Sequence, residues 1–370
     1  MGFLDFLFYG FIAVVIIQVL FYVFLFGKFA FSRQKKVASK NIAISVIICA
    51  KNEAENLKKF LTAIIEQEYP DFEIVVINDS SKDDTLDIIH HFSKLQNNIK
   101  IVDVKSNEAF WGNKKYALTL GIKAAKNDFL LFTDADCKPV SKYWIKEMSA
   151  NFSNSKSIVL GYGAYSKIKN SILNKLVRFE TLLTAVNYFS FAKSGLPYMG
   201  VGRNLAYTKK EFFDANGFIN HIKVRSGDDD LFINQIATKN NTTICFSKDS
   251  FTESTPKTTF KAWFKQKRRH ISTAKHYKIR HKVLLTLLYI SNLLFWLFAL
   301  ILFASLFNWQ LVLGLFIFRI VLQYTIFGVS SKKLGETDLL VFLPFLEIFL
   351  IILQLTIFIN NLISKPNHWK

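Results

Sequence analysis

The sequence has 370 residues, of which 51% are hydrophobic and 38 are Phe, and its formal net charge is +19. Its three cysteines, Cys49, Cys137 and Cys245, stand far apart, which argues against a disulfide framework and against a structural zinc site. The sequence has no zinc-finger, homeodomain or RNA-binding signature, and its basic residues cluster beside apolar segments. The composition therefore favours a membrane, and not a nucleic acid, as the partner of the positive charge.

The first predicted element is a membrane anchor within residues 1–30. Residues 6–26 carry no charge, and about 20 apolar residues suffice for a helix to cross the hydrocarbon core. Asp5 precedes the run in place of a positive charge, and no small-residue cleavage site follows, so we expect a retained anchor and not a signal peptide. The run is followed by basic residues at Lys28, Arg33, Lys35, Lys36 and Lys40. The positive-inside rule then predicts an outside N-terminus and a cytoplasmic domain after the anchor.

Residues 41–255 have the pattern of an α/β domain. Apolar or β-branched runs predict strands at 44–49, 73–77, 99–104 and 128–132, and helical periodicity predicts helices at 53–66, 84–95 and 113–126. This alternation predicts a mostly parallel sheet with helices on both faces. Ligands of such sheets bind at the carboxyl ends of the strands, so the loops there are the candidate site.

Those loops are rich in polar and acidic side chains. The first strand is followed by residues 50–53 (AKNE), the second by 78–81 (NDSS) and the fourth by 133–136 (TDAD). Two carboxylates separated by one residue, Asp134 and Asp136, suit a hard divalent cation such as Mg²⁺ or Mn²⁺, which in turn holds phosphate oxygens. Helix caps and Asx-turns also favour Asp, Asn and Ser, and such a cap explains 78–81 taken alone. The apolar run before Asp134 favours the cation site there.

These motifs resemble those of the inverting family 2 glycosyltransferases with the α/β, Rossmann-like GT-A fold. The resemblance covers residues 44–270 and rests on SVIICAKNEAENL at 45–57, VVINDSSKDDT at 75–85, NKKYALTLGIKAA at 113–125 and FTDADC at 132–137. The flanking apolar runs match the membrane-bound branch of that family. The resemblance implies an enzyme that uses a nucleotide sugar and a divalent cation.

The resemblance also implies roles for single residues on the donor side. Asn52, Glu53 and Asp79 would bind the nucleotide. Lys114, with Lys115 as the alternative, would lie near the donor. Asp134 would contact the donor's ribose or the metal, and Asp136 would ligate the metal, Mg²⁺ or Mn²⁺.

The family's catalytic motif matches SGDDDLF at 226–232. An inverting transfer needs a base that deprotonates the acceptor hydroxyl. Aligned on Leu231, Asp228 takes this position, and Asp229 is the alternative because three consecutive Asp blur the register. Negative charge at a helix N-terminus is a structural explanation that is compatible with either role.

Two further segments would serve the acceptor and the leaving group. QKRRH at 266–270 resembles the Gln-x-x-Arg-Trp motif, in which Gln266 and Arg269 match and His270 replaces the Trp. That departure argues against processive synthesis, and a purely lipid-anchoring role is the alternative for this stretch. MGVGRNLAYTKKEFFDANGF at 199–218 resembles the acceptor-side segment and offers Arg203 and Asn204. A helical face at 171–191 fits either an interfacial helix or a helix that packs in the core.

A basic juxtamembrane segment at 256–282 precedes a predicted membrane domain at 283–363. Apolar runs at 283–303, 311–329 and 339–363 are each long enough to cross, which predicts about three C-terminal spans. Lys332 and Lys333 predict that the last connection returns to the cytoplasm. Arg319 and Glu347 lie inside these runs, where they are functional, snorkel to the surface, face a neighbouring helix or sit on a segment that lies in the interface.

We therefore expect an inverting, metal-dependent, hexosyltransferase-type enzyme at the cytoplasmic face of the cell membrane. The donor would be a nucleotide-diphosphate sugar, with UDP implied by the resemblance, and the acceptor a lipid or lipid-linked molecule. A processive polysaccharide synthase and a non-catalytic nucleotide-sugar-binding subunit are the alternatives. The few predicted spans and the large α/β domain argue against a transporter.

Overall fold

A computed structural model describes residues 2–34, 40–105, 113–224 and 226–364, so Lys35 and Lys36 of the basic run lie outside the described residues. The α-helices are α1 Phe3–Leu20, α2 Gly27–Ala30, α3 Ala54–Ile65, α4 Thr85–Leu95, α5 Asn113–Ala124, α6 Trp144–Ser149, α7 Ile172–Lys193, α8 Lys209–Asp214, α9 Asp230–Ile236, α10 Phe260–Ile271, α11 Ile279–Ala304, α12 Trp309–Leu334 and α13 Leu343–Ile363. A π-helical segment, Phe21–Phe26, joins α1 to α2, and 3₁₀ turns lie at Ile219–His221, Lys248–Ser250, Ala274–His276 and Thr337–Phe342.

The strands form two sheets. They are β1 Ile44–Ala50, β2 Phe72–Asp79, β3 Ile99–Val104, β4 Phe129–Asp134, β5 Cys137–Pro139, β6 Ile158–Leu160, β7 Gly163–Tyr165, β8 Leu205–Thr208, β9 Thr242–Ile244 and β10 Thr252–Ser254. The larger sheet has the order β3-β2-β1-β4-β8-β6-β9, and the smaller one has the order β5-β10-β7. Strands β1 to β4 are mutually parallel, as the alternation predicted, whereas β8 runs antiparallel to β4.

Apolar periodicity explains how helices cover the parallel strands. β1 and β2 are buried along most of their length because their side chains face helices on both sides of the sheet. On α3, Leu57, Phe60, Leu61 and Ile64 recur every three or four residues and are buried as one stripe. The polar loops of the predicted site are thereby held at one edge of a rigid sheet.

Helix α7, whose place the sequence left open, is a helix that packs in the interior. Thirteen of its 22 residues are buried, and it contacts α2, α12 and α13 as well as strands β7 and β9. It therefore lies between the α/β domain and the apolar helices.

Four helical segments are long and apolar enough to cross a membrane. They are Phe3–Ala30, Ile279–Ala304, Trp309–Leu334 and Thr337–Ile363. This result confirms the expectation of one N-terminal and three C-terminal candidate spans.

The two charges predicted inside the spans form a buried pair. Arg319 Nη2 lies 2.6 Å from Glu347 Oε1, and Arg319 Nη1 donates to Glu347 Oε2 at 3.1 Å. The same guanidinium donates to Gln18 Oε1 and to Gln323 Oε1, each at 2.6 Å, and Trp296 Nε1 donates to Glu347 Oε2 at 3.1 Å. The structure thus places both charges in contact with neighbouring helices, and one polar cluster joins all four candidate spans.

A second ionic cluster fastens the α/β domain to the α12–α13 connection. Arg178 of α7 donates through Nε to Glu336 Oε2 at 2.9 Å and through Nη1 to Asp338 Oδ2 at 2.9 Å. Lys167 donates to the Gly335 carbonyl and to Asp338 Oδ1, each at 2.8 Å. The connection between α12 and α13 therefore packs directly against the α/β domain.

Candidate active site

The ends of three parallel strands bring the predicted loops together. Cys49 of β1 is in register with Asp134 of β4, and Ala50 is in register with Asn78 of β2. Because neighbouring parallel strands end at the same edge, the loops at 50–53, 78–81 and 133–136 adjoin one another.

Lys114, near the start of α5, lies at the centre of this edge. Its Nζ is 2.8 Å from Asp228 Oδ2 and 3.3 Å from Asp134 Oδ1. Although burial opposes its charge, Asp134 and Asp228 raise the pKa of Lys114 well above the usual value. Burial likewise opposes the charge of Asp228, but Lys114 keeps the pKa of that carboxyl below its usual range. The lysine thus joins the Asp-x-Asp loop to the acidic motif at 226–232 and keeps Asp228 ionised.

The loops after β1 and β2 are linked by their own polar groups. Asn52 has φ +55°, and its Oδ1 accepts a hydrogen bond from Lys82 N at 2.8 Å. Glu53 N donates to Thr85 Oγ1 at 2.8 Å. Asp79 is buried beside Lys51, whose Nζ lies 3.5 Å away, and burial raises the pKa of Asp79. These contacts shape the predicted nucleotide side of the site.

The Asp-x-Asp loop carries a group of side chains that could hold a metal ion. Asp134, Asp136 and Cys137 each offer a ligand atom, and these atoms lie within 4.8 Å of one another. Burial, and then the neighbouring Asp134, raise the pKa of Asp136, so a bound cation would relieve this repulsion. The two carboxylates suit Mg²⁺ or Mn²⁺. Sequence reasoning did not single out Cys137 as a third group, although it directly follows the motif, and its Sγ lies 2.9 Å from Ser254 Oγ.

The three consecutive aspartates point to three different partners. Gly227, with φ +90°, starts the turn in a conformation that favours glycine, and Asp228 then faces Lys114. Asp229 caps α9: its Oδ1 accepts from Asp230 N at 2.8 Å and its Oδ2 from Gly202 N at 2.7 Å. Asp230 turns away from the sheet edge and accepts a hydrogen bond from Tyr277 Oη at 2.6 Å. The turn is therefore fixed on three sides.

Burial, and then the charge of Asp228, raise the pKa of Asp229 to about 7. Its proton occupancy therefore changes near neutral pH, whereas Asp228 stays ionised there.

Lys115, the alternative to Lys114, lies beneath the segment that leads into this turn. Its buried Nζ donates to the carbonyl oxygens of His221, Val224 and Ser226 at 2.8, 2.8 and 2.9 Å. A primary ammonium has three hydrogens, and three backbone acceptors match them. Lys114 therefore faces the site, and Lys115 supports it.

The two acceptor-side candidates differ in what they can offer. The Arg203 guanidinium stacks on Tyr165 at 4.2 Å and donates to Ser254 Oγ at 3.2 Å, near the Asp-x-Asp loop. Asn204 is fully buried, and its Nδ2 donates to the carbonyl oxygens of Tyr162 at 2.9 Å and Ser250 at 2.6 Å. Both amide hydrogens are thus used within the protein, so Asn204 supports the site in this conformation and has none to donate to a substrate.

Helix α10 carries the Gln-x-x-Arg residues against the site. The pKa of Arg269 is lowered by burial, while the nearby charges of Asp228 and Asp134 act in the opposite direction. Gln266 Oε1 is buried and accepts no hydrogen bond from any described residue. Arg268 Nε donates to Asn361 Oδ1 at 2.9 Å, which ties α10 to α13. The basic stretch thus contributes to the protein interior as well as to its surface.

A cavity of about 20 Å³ lies where these groups meet, lined among others by Lys114, Asp134, Gly202, Asp228 and Asp229. It has room for one water-sized group.

Comparison with known proteins identifies families and relatives that match parts of this chain. The family model described as glycosyl transferase family 2 matches residues 45–210, and the model described as glycosyl transferase family group 2 matches 157–358, more than half of the chain. A poly-beta-1,6-N-acetyl-D-glucosamine synthase of Staphylococcus epidermidis is 30% identical over 210 residues, which cover 50% of this chain and 48% of that protein. Glycosyltransferase AglE of Haloferax volcanii is 31% identical over 120 residues, 32% of this chain and 38% of that protein. The chain thus spans about half, or less, of the length of these curated relatives.

A mannosyltransferase from Pyrobaculum calidifontis, solved in complex with GDP-Man and Mn²⁺, has a similar fold. It superposes with a TM-score of 0.59 at 17% identity, over 91% of this chain and 96% of that one. The expected GT-A fold is confirmed by this likeness and by the family matches.

Proposed function

Since the chain belongs to glycosyl transferase family 2, we propose that it transfers a sugar, with inversion, from a nucleotide-diphosphate donor to an acceptor at a membrane surface. We propose a UDP-sugar as the donor and a lipid or lipid-linked molecule as the acceptor. The proposed division of the chain is an anchor at 1–30, a cytoplasmic catalytic domain at 41–255, a juxtamembrane segment at 256–282 and a membrane domain at 283–363.

The observation that carries the proposal is the position of Lys114 between Asp134 and Asp228. The lysine brings a carboxylate of the candidate cation site and a carboxylate of the acidic turn to one ammonium group. An inverting glycosyl transfer requires a cation site and a proton acceptor close together, because the leaving diphosphate and the attacking hydroxyl lie on opposite faces of one anomeric carbon.

Each residue has one task in the proposed mechanism. A divalent cation bound at this site would supply Lewis-acid stabilisation of the leaving diphosphate. Asp134 and Asp136 would hold that cation, and Asp79 with the loop at 52–53 would bind the nucleoside. Asp228 takes the proton from the acceptor hydroxyl as the hydroxyl oxygen bonds to the anomeric carbon.

Three further groups serve the leaving group and the acceptor. Arg269 donates charge-assisted hydrogen bonds to the diphosphate. Gln266 and Arg203 face the acceptor side, where the buried Gln266 Oε1 can accept a hydrogen bond from a sugar hydroxyl.

Asp229 is the second candidate for the base. A pKa of about 7 suits a general base at neutral pH. Against it, both carboxylate oxygens of Asp229 already accept backbone N–H groups, whereas Asp228 faces the donor-side lysine. We therefore assign the proton transfer to Asp228 and the shaping of the turn to Asp229.

A second candidate function is the synthesis of a β-linked N-acetylglucosamine polymer. The name of the Staphylococcus epidermidis relative favours it. The replacement of the motif's Trp by His270 favours a single transfer. The two functions differ in their products, since a polymerase yields a ladder of lengths and a single transferase yields one adduct.

The deciding experiment measures the release of nucleoside diphosphate by the detergent-purified protein from a panel of nucleotide sugars with Mn²⁺ and membrane lipid extract. Asp136→Ala tests the site. Asp214→Ala is the matched control, since Asp214 is an exposed carboxylate on α8, which starts beside the opposite end of β4. We expect release from one donor, lost in Asp136→Ala and kept in Asp214→Ala, with a lipid-extractable product. No release from any donor would refute the proposal, and a product ladder from UDP-N-acetylglucosamine would replace it with the polymerase.

A further inference from the structure

Asp230, the third aspartate of the acidic turn, faces neither the donor nor the acceptor side. It is 7% exposed, and its Oδ2 accepts hydrogen bonds from the hydroxyls of Tyr277, at 2.6 Å, and Thr273. Its Oδ1 accepts from Leu231 N at 2.8 Å. Both oxygens of this carboxylate thus accept hydrogen bonds from the protein.

The two hydroxyl donors occupy a particular place in the chain. Thr273 and Tyr277 lie between α10, which carries Gln266 and Arg269, and α11, which begins at Ile279 as a candidate membrane span. Thr273 is 1% exposed and Tyr277 is 8% exposed, so the contact is sealed from solvent. Hydrogen bonds of a carboxylate with hydroxyl groups are strongest in such surroundings.

A second link lies one helical turn further along α9. Asn234 Oδ1 accepts from Lys278 N at 2.9 Å, and Asn234 Nδ2 lies 3.0 Å from His281 Nδ1 of α11. Residues 230 and 234 are on the same face of α9, because positions four apart share a helix face. That face is therefore joined at two levels to the segment that leads into the membrane span.

We propose that Asp230 is a positioning residue: it fixes the position of the proposed base, Asp228, relative to the Gln-x-x-Arg helix α10 and to the start of α11. The inference rests on the proposed function, because it gives the position of Asp228 a purpose in proton transfer. The carboxylate does not touch substrate. It fixes the turn from the membrane side, while Lys114 and Gly202 hold Asp228 and Asp229 from the other two sides.

The test removes the two hydroxyls without removing the carboxylate. Thr273→Val and Tyr277→Phe, alone and together, keep shape and take away the donors to Asp230. Tyr289→Phe is the matched control, since Tyr289 of α11 donates to the Ile351 carbonyl at 3.1 Å and has no bond to Asp230. Amide hydrogen exchange of residues 228–236 is measured first, because it does not depend on turnover.

We expect faster exchange in this segment for the double variant and no change for Tyr289→Phe. With the donor identified, we expect kcat to fall roughly 10- to 100-fold at an unchanged donor KM, as a displaced catalytic group predicts. Unchanged exchange would overturn the proposed link between Asp230 and the α10–α11 segment. Faster exchange with unchanged kcat would overturn the positioning role. An inactive wild type whose variants still show faster exchange would refute the proposed function and the positioning role of Asp230, but it would leave the link between Asp230 and the α10–α11 segment in place.

Discussion

Removal of one charge from the polar cluster among the four apolar helices is expected to destabilise the protein strongly. Glu347→Gln keeps the shape of the side chain but leaves the Arg319 guanidinium without its counter-charge at 2.6 Å. Both side chains are buried among the spans, with Arg319 at 0% and Glu347 at 7% exposure. An uncompensated buried charge costs about 3–5 kcal/mol.

The double variant is the control for the size of this destabilisation. Arg319→Met with Glu347→Gln removes both charges, and replacing a buried pair by neutral groups is often nearly neutral in stability. We therefore expect each single variant to lose roughly 5–10 °C of thermal midpoint and the double variant to recover most of that loss. Glu55→Gln, at an exposed position of α3, controls for the amide substitution itself.

The assay is thermal unfolding in one detergent at one scan rate, followed by the loss of the monodisperse protein. Because such unfolding is rarely reversible, the midpoints are compared and not converted to free energies. Additive losses in the double variant, or single variants within 2 °C of the wild type, would show that the pair does not hold the spans together.

Three other outcomes are expected. In initial-rate assays, Asp228→Asn should lower kcat roughly 100- to 10,000-fold, and Asp229→Asn should lower it less than about tenfold. The reverse order would assign the role of the base to Asp229. Burial raises the pKa of Asp229 in the folded protein to about 7, whereas its pKa in the unfolded chain is about 3.9. Protonated Asp229 therefore stabilises the fold fully below about pH 3.9, and this stabilisation is lost as the pH rises through about 7. The thermal midpoint should then fall between pH 5 and 8 less steeply in Asp229→Asn than in the wild type, and parallel slopes would contradict this. Saturating Mn²⁺ should raise the midpoint of the wild type and of Asp214→Ala but not of Asp136→Ala, and an equal rise in all three would place the ion elsewhere.

Local patterns were enough to predict the elements and the edge of the sheet where the site lies. Short apolar runs followed by polar loops mark β1, β2 and β4, because a strand buried on both faces has no room for polar residues until it ends. The four candidate spans were equally readable, since the thickness of the hydrocarbon core imposes a minimum length on each apolar run.

Contacts between distant segments had no such local signal. Nothing near Lys114 in the sequence indicates that it meets Asp228, and nothing near Asp230 points to Tyr277. Lys114 and Lys115 are neighbours of the same type, yet successive side chains on a helix point in different directions, so only one faces the site. Asn204 stood in a glycine-containing segment typical of a substrate loop, but its amide is used by backbone carbonyls that only tertiary folding brings near.

The ionic cluster around Arg178 has a consequence for how the candidate active site is placed relative to the apolar helices. Arg178 and Lys167 fasten the α/β domain to the α12–α13 connection, and Arg268 fastens α10 to the far end of α13. Both ends of α13 are thereby held, one by the α/β domain and the other by α10. In the proposed transferase, this double attachment would set the distance between α13 and the candidate active site, and with it the position at which an acceptor hydroxyl is presented.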